Sequence, residues 1–136
     1  MTPRKRPWLT SACATACAAA LTLSSTMAWA YSWKRLVKTD TLTLYVDMTT
    51  LERDGDVRRI WEMQDLANPD PNGVRSRRYV NEVDCQQKYH RIGNMTSFTG
   101  PRLTGEKKFE VEDMGYWRKI PPDGTFAVTY VLLCIE

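Results

Sequence analysis

Two cysteines, Cys85 and Cys134, constrain the fold of this chain most, because a bond between them would tie its C-terminus to its middle. Such bonds form and persist in exported proteins and are rare in the cytosol. The other two cysteines, Cys13 and Cys17, lie near the N-terminus. The compartment, and the fate of the N-terminal segment, therefore decide which cysteines can pair.

The N-terminal segment has the composition of a secretory signal peptide. Three basic residues at positions 4–6 precede a weakly apolar stretch, and Ala28 and Ala30 are the small residues that signal peptidase needs. Serine and threonine interrupt the apolar stretch, which falls short of the ~18 apolar residues of a membrane-spanning helix. We predict a signal peptide over residues 1–30 and one mature domain over residues 31–136.

A lipid anchor at Cys17 is the alternative use of this segment. Residues 14–16 loosely resemble the sequence that precedes a lipidated cysteine, but the usual leucine is missing. We therefore predict no lipid anchor and an exported protein that lies in the periplasm or at the cell surface and outer membrane.

The mature domain then contains only Cys85 and Cys134. An even pair of cysteines in an oxidising compartment predicts one disulfide. It would close a loop of about 50 residues and contribute on the order of 4 kcal/mol in the chain-entropy model.

The charge of the mature domain excludes one class of function. Residues 1–30 contain three basic and no acidic residue, so the other 106 residues hold 16 basic and 16 acidic residues and have no formal net charge. Non-specific binders of nucleic acid or anionic membranes normally carry an excess of basic charge. We therefore predict no nucleic-acid partner. We also predict that the mature chain contains no transmembrane helix.

Alternating apolar residues predict that most of the domain is β-strand. The first strand covers residues 32–38, a second covers residues 41–47, and residues 48–56 are predicted to be a turn that contains Asp54-Gly55. Later strands are predicted from Cys85 to about Phe98 and near residues 107–113.

The two central strands are predicted to form a hairpin. Val57–Leu66 and the strand that begins at Val74 flank a loop rich in proline, asparagine and glycine. In a simple antiparallel register, Leu66 faces Arg75, and Arg59 faces Glu82. The arginines at positions 58–59 then lie at one end of the hairpin and those at positions 75–78 at the other, rather than in one patch.

The last segment, TFAVTYVLLC, is ambiguous. Its threonine, valine and aromatic residues are strand formers, whereas Asp123 or Thr125 after two prolines could cap a helix. Periodicity cannot separate the two in a continuous apolar run, so the residues alone leave both open.

No catalytic or metal-binding motif is present. The chain has one histidine, His90, and two cysteines committed to a disulfide cannot complete a tetrahedral zinc site. Nucleophile, phosphate-binding and dinucleotide-binding motifs are absent. We predict a protein that is not an enzyme and has no cofactor, with His90 facing solvent on a strand. The alternative is a haem ligand at His90, with Met95 or a tyrosine.

The best candidate contact elements for a protein partner are the loop Ala67–Gly73 and the basic residues after it, Arg75, Arg77 and Arg78. A glycosaminoglycan-binding surface is one alternative for these arginines, and an ordinary solvated face is favoured over it. An exposed edge strand could also support a homodimer.

The order of aromatic residues and cysteines resembles the bacterial surface-adhesin E family. The resemblance extends from Ser32 to Cys134, and no single motif in it is diagnostic. It is carried by Trp33, Tyr45-Val46-Asp47, Val57-x-x-x-Trp61, Asp84-Cys85, Trp117-x-x-Ile120-Pro121-Pro122 and Cys134.

The resemblance implies an α+β fold: a small, twisted, mainly antiparallel sheet with one C-terminal helix, from about Phe126 to Cys134, that the disulfide ties to the sheet. It also implies an exported, non-enzymatic module that binds host extracellular-matrix or plasma proteins. Dimerisation and haem binding are further properties of the family. Alternatives of another class are a periplasmic small-molecule or haem-binding protein, and a periplasmic domain of unknown partner.

Overall fold

The computed structural model describes Pro3 and residues 30–135, and these form one antiparallel sheet covered by a helix. The sheet has the strand order β1-β2-β3-β4-β5-β6, and β7 pairs with β5. The predicted α+β fold is therefore confirmed. The elements are β1 Lys34–Lys38, β2 Leu42–Asp54, β3 Val57–Leu66, β4 Ser76–Asp84, β5 Tyr89–Phe98, a short 3-10 turn Pro101–Leu103, β6 Lys107–Val111, β7 Arg118–Lys119 and α1 Thr125–Cys134.

The central hairpin has the predicted register. Arg59 faces Glu82 across the β3–β4 pair, and the amide of Leu66 donates to the carbonyl of Arg75 at 2.9 Å. The turn between the strands and the alternation of side chains fix this register, because a shift of one residue would move every side chain of the strand to the opposite face of the sheet.

Strand β2 is longer than predicted, and the expected turn over residues 48–56 is wrong except for its Asp54-Gly55 end. A bulge between Asp47 and Glu52 lets the strand continue. The Thr50 hydroxyl supports the bulge, because it accepts from the Trp61 amide at 3.0 Å and donates to the Asp47 carbonyl at 2.6 Å. Pairing with a neighbouring strand has replaced the local turn.

Strand β5 begins at Tyr89, four residues later than predicted, because residues 85–88 form a turn. The Asp84 carboxylate holds this turn by accepting from the amides of Gln86 and Gln87, both at 3.0 Å. The turn places Cys85 at the end of the sheet, below the C-terminal helix.

The helix α1 confirms the structure that the family resemblance implied for the last segment, and it begins one residue earlier than expected. Its buried Leu133 packs against Val46, Ile60 and Val83 on one face of the sheet. Cys134 is bonded to Cys85, with 5.4 Å between their Cα atoms, so the predicted disulfide is also confirmed.

The opposite face of the sheet is covered by two irregular segments. At the N-terminus, the rings of Tyr31 and Trp33 stack at 4.8 Å, and Tyr31 also contacts Trp61 at 5.6 Å. The segment after β6 approaches Gly93 so closely that a Cβ there would lie 2.5 Å from the Cα of Met114. Only glycine permits this approach. The predicted signal peptide, including Cys17, lies outside the described residues apart from Pro3 and Ala30.

Candidate functional site

The three arginines predicted to bind a partner do not form one surface. Arg75 is bonded to the Asp65 carboxylate at 2.9 Å and to the Leu66 carbonyl, whereas Arg77 donates from Nε to Gln64 Oε1 at 2.7 Å on the helix-covered face. All are engaged within the domain, and their binding role stays a prediction.

Arg78 lies on the other face of the sheet. Its guanidinium carbon is 5.5 Å from the centre of the Tyr31 ring and 5.8 Å from that of Phe98, so it is held by two cation–π contacts. The side chain therefore fixes the N-terminal segment of the domain. The loop Ala67–Gly73 is mostly exposed and is ordered by Asp70, whose carboxylate accepts from the amide of Asn72 at 2.8 Å.

His90 is buried, and the prediction that it faces solvent is wrong. Only 6% of its surface is exposed, because Phe126 of α1 covers its ring at 4.5 Å. It pairs with Val83, whose side chain faces the helix. Burial lowers the pKa of the imidazole, and the nearby positive charge of Arg118 lowers it further.

A cleft of about 400 Å³ lies beside His90. We call it the cationic cleft, because its walls contain Arg91, Arg118 and Lys119 and no carboxylate. Met95 also lines it, so the structure brings together His90 and one of the suggested haem partners. The Nδ1 atom of His90 is buried without a hydrogen-bond partner among the described residues. Haem binding at this position stays a prediction.

The edge strand β6 is exposed along its whole length. All five of its residues are exposed, with Phe109 at 47% and Val111 at 53%. Its inner side pairs with β5, and no described strand pairs with its outer side. Unpaired edges of this kind are templates for another extended chain.

Glu82 joins two arginines on the face of the sheet opposite α1. Its carboxylate is 3.2 Å from Arg59 Nη1 and 2.8 Å from Arg91 Nη2. The Arg91 guanidinium also lies 4.7 Å from the centre of the Trp117 ring. The sequence predicted the pair of Glu82 with Arg59, but Arg91 was missed because it belongs to a strand whose register depends on a bulge.

Glu62 is a buried ionisable residue that the sequence patterns did not indicate. It is fully buried beneath α1. Asn81 Nδ2 donates to its Oε1 at 3.0 Å, while Oε2 has no partner among the described residues. Burial raises the pKa of the Glu62 carboxyl, an effect that Asn81, Thr129 and Tyr79 partly offset. The signal that could have found it is its position between Ile60 and Gln64 on the buried side of β3.

The described part of the chain contains neither a metal-binding cluster nor a membrane-spanning helix. No group of three or more histidine, cysteine, aspartate or glutamate side chains among them could hold a metal ion. No helix in that part of the chain has the length and apolar character needed to cross a membrane.

Comparison with known proteins identifies the family. The family model for surface-adhesin protein E matches residues 33–135. The chain belongs to this family. No curated protein matches the sequence.

Solved structures of another protein show the same fold. One crystal form of Haemophilus influenzae protein E aligns with a TM-score of 0.55 and 17% sequence identity, over 75% of this chain and 86% of that chain. Protein E from non-typeable Haemophilus influenzae aligns with a TM-score of 0.51 and 17% identity, over 75% and 74% of the two chains. At these identities the likeness extends to the fold alone. These structures therefore share the overall fold of this chain.

Proposed function

We propose that this protein is an exported, non-catalytic binding module that holds a protein partner, such as a host extracellular-matrix or plasma protein, at the edge of its sheet. The observation that carries the proposal is the outer edge of β6, Lys107–Val111, which no described strand covers and whose residues are all exposed. Membership of the surface-adhesin E family supports it.

The chemistry of β6 suits strand addition. An extended segment of the partner would form main-chain hydrogen bonds with the open edge, which give affinity, while alternate side chains give specificity. Phe109 and Val111 are two residues apart, project on the same side of the strand and are about half exposed. They would be the apolar anchors, and Lys108 and Glu110 would contact the rim of the partner.

Export is the second part of the proposal. Cleavage after Ala30 would leave Tyr31 as the first residue, together with its contacts to Trp33 and Trp61. The Ser32 amide, which donates to Asp47 Oδ2 at 2.9 Å, would also be retained. All of these contacts would therefore survive the predicted cleavage, which supports this cleavage site.

The residues of the domain also favour binding over catalysis. Its one histidine is buried, and no carboxylate lines the cleft beside it to act as a base or to orient the ring. The buried Glu62 faces the underside of α1 rather than a cleft.

The proposal is tested by binding to an array of purified extracellular-matrix and plasma proteins, with ovalbumin as a non-matrix control. We expect Phe109→Ser to weaken binding at least tenfold, because interface anchors of this type contribute about 2 kcal/mol or more. Met48→Ser is the matched control, since Met48 is also an exposed apolar residue, 38% exposed, but lies on β2.

Equal loss of binding in both variants would contradict the use of β6. Absence of binding by the unmodified domain to every matrix and plasma protein in the array would contradict the adhesive function itself. Both substitutions are at exposed positions, so the circular dichroism spectrum should be unchanged for either variant, and the intact mass should differ only by the substituted side chain.

A homodimer is proposed for the same edge. When two copies of β6 pair antiparallel about a two-fold axis at Phe109, Lys108 of each copy faces Glu110 of the other. The strand is therefore complementary to itself in charge. The protein partner and the second copy would compete for one edge.

Light scattering after size-exclusion chromatography measures this dimer. Lys108→Glu should weaken it by about tenfold or more, because like charges then face each other twice. The double variant Lys108→Glu/Glu110→Lys should restore it, since the opposite charges are exchanged. A dimer that is unaffected by Lys108→Glu would have to use another surface, and a monomer at all concentrations would contradict the proposal.

A further inference from the structure

We propose that the cationic cleft, between β5, β7 and the first turn of α1, binds a single-chain amphiphile with an anionic head group, either a carboxylate or a phosphate. Its volume of about 400 Å³ is within the range of small-molecule sites, about 300–1,000 Å³. The site is distinct from the β6 edge, so its occupancy does not depend on the proposed adhesive function.

Two cations without acidic partners provide the head-group site. Arg118 and Lys119 form β7, pair with His90 and Tyr89, and both line the cleft. Neither forms an ion pair with any described residue. Because the mature domain has equal numbers of acidic and basic residues, this concentration of positive charge is local, and it attracts an anion.

The rest of the cleft is apolar. Ile92 and Met95 of β5 form one wall, while Pro121 precedes α1 and Phe126 lies in its first turn. Tyr116, which is 88% exposed, also lines the cleft and offers an amphipathic ring to a bound chain. A ligand that matches this lining must combine a short apolar body with one negative charge.

His90 provides an independent indication of an unfilled polar site. More than nine-tenths of its side chain is buried, it lines the cleft, and its Nδ1 atom has no partner among the described residues. Buried polar groups are normally hydrogen-bonded, so an unpaired one beside a cleft points to a ligand or an ordered water molecule.

The larger cleft of the domain has no comparable feature. It has a volume of about 550 Å³ and lies between the N-terminal segment and Trp61. Its buried carboxylate, Asp47, already accepts from the amide of Ser32 at 2.9 Å and from the amide of Thr49 at 3.0 Å. Because the buried carboxylate of this cleft is already hydrogen-bonded, it does not point to a missing ligand.

The methyl groups of methionine provide a position-specific test in the processed, disulfide-bonded protein. We would titrate protein labelled with ¹³C at these methyl groups with laurate and, separately, with dodecyl phosphate, below the concentrations at which micelles form. The Met95 resonance, assigned with Met95→Leu, should shift and saturate. The resonances of Met48 and Met63 should not, because they are outside the cleft. Saturation with only one of the two ligands would identify the head group, and saturation with both would support the shared anionic chemistry.

Variants test the role of charge. Arg118→Gln/Lys119→Gln should weaken binding at least tenfold, while Lys107→Gln/Lys108→Gln, which removes the same charge from β6, should leave it unchanged. Dodecanol, which has the same chain without a charge, should bind at least tenfold more weakly than laurate.

Three results would overturn the proposal: a Met95 resonance that does not move with either anion, dodecanol binding equal to that of laurate, or equal affinities in the two double variants. If the β7 variant does not fold, the effect of salt on laurate binding by the unmodified protein decides the question. Affinity that is unchanged by salt would show that no charge is used.

Discussion

Replacement of both Cys85 and Cys134 by alanine is expected to lower the free energy of unfolding by about 4 kcal/mol, because the bond closes a loop of roughly 50 residues in the unfolded chain. Single domains have stabilities of about 5–15 kcal/mol, so this loss would be a large fraction of the total. The sequence separation of the two cysteines is 49 residues.

Loss of the disulfide should affect α1 most, because this helix has little stability of its own. α1 has ten residues, no side-chain hydrogen bond at its N-cap and no charged residue in its first or last turn that would favour the helix dipole. Short helices are marginal without tertiary contacts. Apart from the covalent bond, α1 depends on packing such as that of Leu133 and on the Tyr130 hydroxyl, which donates to the Cys85 carbonyl at 3.3 Å.

Urea unfolding at about 25 °C, followed by circular dichroism, measures the loss. The unmodified protein in reductant should match the double variant, because both lack the same bond. A loss below about 1 kcal/mol would contradict the prediction, since it would mean that packing alone holds α1.

Substitution of Glu62 by glutamine is expected to change how stability depends on pH. Burial raises the pKa of this carboxyl above the usual 4.5 in the folded protein, so the folded state binds the proton more tightly than the unfolded state does. The stability contributed by the protonated carboxyl is therefore fully present below the unfolded-state pKa. It is lost as the pH rises through the raised folded-state pKa.

Glu62→Gln should remove this loss, because an amide of the same shape carries no charge. At about pH 8 we expect the variant to be more stable than the unmodified protein by about 1–3 kcal/mol, the cost of a buried group without its hydrogen bonds. At about pH 4 the two should differ much less, since the glutamate is then largely protonated.

Glu82→Gln is the matched control for this experiment. Glu82 is on the opposite face of the sheet, where its carboxylate is paired with Arg59 and Arg91. Its replacement should lower stability at neutral pH by about 1 kcal/mol, the value for a partly exposed ion pair. A Glu62→Gln variant that is destabilised equally at both pH values would show that hydrogen bonding, rather than ionisation, dominates at this position.

Local patterns predicted most of the sheet. The β3–β4 register followed from the loop and from alternation along Val57–Leu66, and both depend on residues close in sequence. The extension of β2 could not be predicted in this way, because its bulge is supported by the Trp61 amide of another strand. The start of β5 was predicted too early because the Asp84 carboxylate accepts from the amides of the two residues after Cys85 and so turns the chain there.

The candidate sites were harder to predict than the fold. Arg75, Arg77 and Arg78 are near one another in sequence, but alternation sends Arg78 to the face opposite Arg77, and each finds a separate partner. The cationic cleft joins β5 and β7, which are separated by the 19 residues 99–117, and these include β6. No local pattern connects these positions.

The cysteine pair, the strand-rich composition, the central hairpin and the neutral charge of residues 31–136 can all be read from the amino-acid sequence. These depend on composition, alternation and turn chemistry, which act over a few residues. The side of the sheet that α1 covers depends instead on contacts between residues far apart in the chain. That placement buries His90 and Glu62, because polar side chains on a strand lose contact with water when another element packs over that face. Strand pairing over long sequence separations leaves the outer edge of β6 open and brings Arg118 and Lys119 of β7 beside β5, where they line the cleft.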